Sequence, residues 1–237
     1  MLFDLQSRGR RTAVKIVYVG LAVLIGGGLV LFGVGTGGGG GGLLDIFNGN
    51  STSSSVQIGN AEKRALREVR LDPNNAAAWG ELARARFQDA GQGDNFNQTQ
   101  GTFTAQGQTE LRSAKQAWDR YLVLNPNRPD ANLARLMAQA FAPTALNQPA
   151  EAAEALEIVT ESDPSSAAYA QLAQYAWLAG QTRKGDLASQ KAIQLAPASQ
   201  RALIRRQLDA ADRQIQQQAA QDAVNNGSLS TATTPAR

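Results

Sequence analysis

Glu151, Glu154, Glu157 and Glu161 recur at spacings of three and four residues. Converging carboxylates can share a proton or hold a cation, but this spacing sets them side by side along one helix face. No nucleophile or partner cation interrupts them, so a solvated acidic face is predicted. The wider inventory is restrictive, because the 237-residue chain contains neither histidine nor cysteine. Imidazole and thiolate catalysis, Cys/His metal centres and disulfides are therefore excluded. Serines are plentiful, yet no Ser-x-x-Lys pair is present to activate one. The glycine tract at 35–42, GTGGGGGG, lacks the lysine and the strand-to-helix setting of a phosphate loop. The expectation is no catalytic residue, no cofactor and no metal.

The net charge of +3 lies entirely in residues 1–42, where Arg8, Arg10, Arg11 and Lys15 face one acid, Asp4; the remainder is neutral. No basic surface large enough for nucleic acid is predicted. Residues 16–34 are uncharged and almost wholly apolar. Nineteen helical residues rise roughly 28 Å, near the roughly 30 Å hydrocarbon thickness of a bilayer. The apolar run exceeds that of a cleaved signal and no A-x-A site follows, so a single uncleaved membrane span is predicted. With four cations before it, the leader 1–15 belongs in the cytoplasm and the rest of the chain outside the plasma (inner) membrane. Gly20, Gly26, Gly27 and Gly33 recur at a helical spacing that allows two spans to approach, so a homo-oligomer is one outcome. The short leader and retained anchor suit a bacterial envelope.

After the span, residues 35–57 have the Gly/Ser/Asn composition of a flexible linker, and residues 225–237 that of a disordered tail. Between them, residues 58–224 are rich in Ala, Leu, Gln and Arg with helical apolar spacing, which predicts an all-α domain. Pro73, Pro126, Pro164 and Pro197 each end an amphipathic run, since proline disfavours helix in the residue before it.

Counting back from these prolines reveals a repeat. Trp79, Leu133 and Tyr169 open a first helix; Leu82, Leu136 and Leu172 stand three residues on, followed by Ala83, Met137 and Ala173. The second helix supplies Ala114, Trp118 and Tyr121, then Ala152, Leu156 and Val159, then Gly185, Ser189 and Ala192. Large residues opposite small ones let antiparallel helices interdigitate and stack. The pattern resembles the tetratricopeptide repeat family, with its W-x2-L-G-x2-Y helix, a small residue in the second helix and a closing proline. From opener to proline the intervals are 47, 31 and 28 residues, the last being the family's own. Alanine or methionine replaces the family's glycine, and Arg86, Ala140 and Ala176 its tyrosine. The extra length of the first unit falls at 91–108, a polar segment that reads either as a partner-binding loop exposing Phe96 and Phe103 or, the favoured expectation, as a tolerated, disordered insertion. Residues 198–223 are expected to form a polar capping helix.

The resemblance implies an α-solenoid whose concave face holds a protein or peptide segment. Eight residues after each opener stand Phe87, Phe141 and Trp177, with Arg84, Arg135 and Gln174 close by. Aromatic and arginine side chains are what binding hot spots favour, so these six are the candidate groove; the competing reading places the rings between neighbouring helices. A membrane-anchored adaptor or assembly scaffold follows as the expectation, and a self-associating structural protein as its alternative.

Overall fold

The computed structural model describes residues 51–124 and 127–231. The leader, the expected span at 16–34, the linker to residue 50, Asn125 with Pro126, and the tail from 232 lie outside the described residues. No helix among the described residues is long and apolar enough to cross a membrane.

Among the described residues eight α-helices follow in order: α1 (Ser51–Leu71), α2 (Ala76–Ala90), α3 (Ala105–Val123), α4 (Ala131–Ala140), α5 (Pro149–Ser162), α6 (Ser166–Leu178), α7 (Thr182–Leu195) and α8 (Arg201–Thr231). The all-α expectation holds, with one two-stranded exception. Each helix from α1 to α6 packs on the next, and α2 also touches α4, so successive hairpins lean on one another. Residues 43–208 form one unit; the part of α8 from Asp209 onward belongs to another.

Local signals explain the helix boundaries. Proline stops α1, α5 and α7, which end at Leu71, Ser162 and Leu195 before Pro73, Pro164 and Pro197. The first helix of each hairpin starts on a capping side chain. Asn75 accepts from the Ala78 amide at 3.2 Å, Asp130 from Asn132 and Leu133 at 2.8 and 3.3 Å, and Ser165 from Ala168 at 3.2 Å, satisfying amides the helix leaves orphaned. Gly180, with φ +72°, turns the chain from α6 to α7. Its amide bonds the Trp177 carbonyl, and the next amide bonds that of Ala176, a left-handed cap that glycine adopts without a steric penalty.

The helices run longer at both ends than composition suggested. α1 begins at Ser51, inside the stretch read as linker, and α8 continues to Thr231, inside the stretch read as tail. Neither Ser51–Val56 nor Asn225–Thr231 contains a proline, so each only extends a helix already nucleated beside it.

The insertion at 91–108 is folded, which corrects the disordered expectation. Phe96–Asn97 pairs antiparallel with Thr102–Phe103, Phe96 opposite Phe103, and the two rings meet edge to face at 5.0 Å. Buried Asn95 donates to the Asp89 carbonyl at 2.9 Å and accepts from the Thr104 amide at 2.9 Å. Thr104 then caps α3 through the Gly107 amide. A Cβ on Gly107 would fall inside the Asn95 carbonyl, so only glycine permits this close approach.

Candidate functional site

Aligned on its N-cap, each first helix reveals a common register. Seven and eight residues after Asn75, Asp130 and Ser165 stand Leu82–Ala83, Met137–Ala138 and Leu172–Ala173, all buried. In the middle unit this is one residue later than the spacing from Leu133 gave: Leu136 is only half-buried, and Met137 with Ala138 fills the packed layer. Leu133 is itself buried at 1% exposure, while Trp79 and Tyr169 are half-buried. Ala114, Trp118, Tyr121, Ala152, Leu156, Val159, Ser189 and Ala192 are buried as expected. Trp118 and Tyr121 stack at 5.3 Å, and the Tyr121 hydroxyl accepts from the Asp130 amide at 2.7 Å.

The aromatic row is not a groove. Phe87, Phe141 and Trp177 are 2%, 1% and 7% exposed, so their rings pack between helices. Trp177 also donates its indole N–H to Asp186 at 3.1 Å, with Gly185 against the ring. The neighbouring cations are spent on joining units. Arg84 pairs with Asp130 at 2.6 Å, and Arg135 reaches Asp163 at 3.3 Å; Gln174 is half-buried on α6. Eight residues carry an α-helix about 80° past two full turns, so the spacing from the opener alone does not fix which side the ring takes.

An open groove lies on α6 and α7. Tyr169 and Leu172 from α6, with Leu187 and Ala188 from α7, line a groove edged by Arg183, Lys184 and Lys191. Leu187 is 58% exposed. Lys184 is bound to Glu157 of α5 at 2.7 Å, whereas neither Arg183 nor Lys191 has an ion-pair partner among the described residues. Asp186, the acid nearest them on α7, is engaged by Trp177. The residues 183, 187 and 191 fall at i, i+4 and i+8, a stripe legible in the sequence and exposed where Gly185, Ser189 and Ala192 are buried.

A second charged cluster joins α1, α2 and α3. Arg86 pairs with Glu62 at 3.2 Å and also donates to the Ser113 carbonyl, while Asp89 and Glu110 lie close enough to feel the same field. Desolvation, then the charge on Glu62, pushes the Asp89 carboxyl up, against the hydrogen bond from Asn95. Desolvation, then Asp89 and Glu62, pushes Glu110 up, and Arg86 offsets only part. Burial likewise pushes the Tyr175 phenol up to about 12. No group of three or more acids among the described residues is arranged to hold a metal ion, and the acids of α5 do not converge.

The sequence matches no protein-family model and no curated protein.

Proposed function

We propose that this is a non-enzymatic protein-binding module, resembling a tetratricopeptide-repeat solenoid, which residues 16–34 hold at the bacterial inner membrane with the hairpins on the outer side. Its role is that of an adaptor or assembly scaffold for other envelope proteins. The observation that carries the reading is the groove on α6 and α7, where Leu187 stands exposed beside two cations without an ion-pair partner among the described residues. An apolar floor rimmed by charged residues is the arrangement that marks interaction surfaces. The residue inventory supports the same view, since a chain without histidine or cysteine lacks the commonest acid–base and nucleophilic groups.

Photo-crosslinking tests the reading. A benzophenone side chain replaces Leu187 in the full-length chain, and intact membranes are irradiated. Adducts with a different protein are expected, in a fraction that alkaline carbonate does not extract. Adducts formed only between copies of this chain would transfer the assignment to the self-associating alternative, and complete extraction by carbonate would remove the membrane span.

A further inference from the structure

We infer that the α6–α7 groove takes an acidic amphipathic helix of another protein, with an apolar side chain against Leu187 and acids on either side for Arg183 and Lys191. This rests on reading the chain as a protein-binding module and names the chemistry of its partner.

The argument is one of complementary charge and spacing. Arg183 and Lys191 are eight residues apart on α7, about 12 Å along the axis at helical rise, with Leu187 midway. Both are exposed. The third cation of the rim, Lys184, is already neutralised by Glu157, so two positive charges remain for a ligand. The floor from Tyr169, Leu172, Leu187 and Ala188 is apolar, which a wholly polar or extended acidic strand would leave uncovered. A helix placing acids seven or eight positions apart on one face, with a Leu, Ile or Phe between them, satisfies cations and floor together. A basic partner would repel both free cations, and a second copy of this chain would have to offer such a face from its own exposed surface. The α5 face with Glu154 and Glu161 about Ile158 comes nearest, but Ile158 is only half-exposed and the adjoining Glu157 is already held by Lys184.

Display selection on the full-length chain in detergent, using a library of helical peptides randomised on one face, tests the inference. Enriched sequences are expected to carry acids seven or eight positions apart about a large apolar residue. Their affinity should fall roughly tenfold in Arg183→Glu/Lys191→Glu, at least tenfold in Leu187→Ala, and with rising salt. The same charge-reversed chain should instead enrich peptides with Lys or Arg at those positions. Circular dichroism of each variant should match the wild type, since all three side chains are exposed. Enrichment of neutral or basic peptides by the wild type would overturn the acidic-helix inference while leaving the binding-module reading intact. No enrichment of any peptide would overturn both, and self-association abolished by the charge reversal would identify the occupant as a second copy instead.

Discussion

One carboxylate oxygen of Asp130 receives the Arg84 guanidinium at 2.6 Å while the other caps α4 through the Asn132 and Leu133 amides. A single side chain thus starts one helix and ties it to the first helix of the preceding hairpin. Asp130→Ala removes the cap and leaves Arg84 without this partner, and should cost about 1–2 kcal/mol. Asp130→Asn retains a capping oxygen but not the charge and should recover most of the loss. Urea unfolding of the two variants separates cap from ion pair; equal losses would show that the charge carries the whole effect.

Gly185 presses on the Trp177 indole so closely that an added methyl group would overlap the ring. Gly185→Ala should therefore destabilise by about 1–3 kcal/mol despite alanine's better helix propensity. A gain in thermal midpoint would mean that the ring moves aside freely.

Phe87 and Trp177 distinguish a core from a binding row. Truncation of either to alanine should cost about 3–5 kcal/mol, the range for a buried aromatic side chain. Stability near that of the wild type, with loss of partner binding alone, would restore the groove that their spacing first suggested.

The acids around Arg86 favour folding at acidic pH and withdraw that contribution as pH rises. Asp89 and Glu110 both hold protons more readily in the folded chain than their ordinary values of 3.8 and 4.5 imply. The native state therefore binds more protons than the unfolded chain, and these groups favour folding below those values. That contribution is lost as pH rises through the raised native values. Glu110→Gln should gain stability at pH 7, up to about 1 kcal/mol for a half-exposed repulsion, and gain less at pH 4. Denaturant midpoints across that interval measure the slope; a larger gain at pH 4 would reverse the sign.

Much of the fold was written in short-range chemistry. Pro73, Pro164 and Pro197 stop helices, Asn75, Asp130 and Ser165 start them, and Gly180 turns the chain, because each acts on amides and dihedrals within a few residues of itself. The absence of histidine and cysteine excluded whole classes of chemistry without any coordinates.

Tertiary contacts decided the rest. Apolar periodicity leaves a helix free to rotate by one residue, about 100°, so Leu136 and Met137 were equally good candidates for the packed layer until the neighbouring helices selected Met137. The 91–108 segment reads as loop because its polar letters give no period; its order comes from Phe96 meeting Phe103 and from Asn95 seated against Gly107, pairs set by chain folding rather than by local preference. Which apolar residues remain uncovered is likewise a property of neighbours. Phe87, Phe141 and Trp177 carry the residue types of a binding surface but lie inside, and Leu187, an ordinary helical leucine by sequence, is left exposed by the described helices.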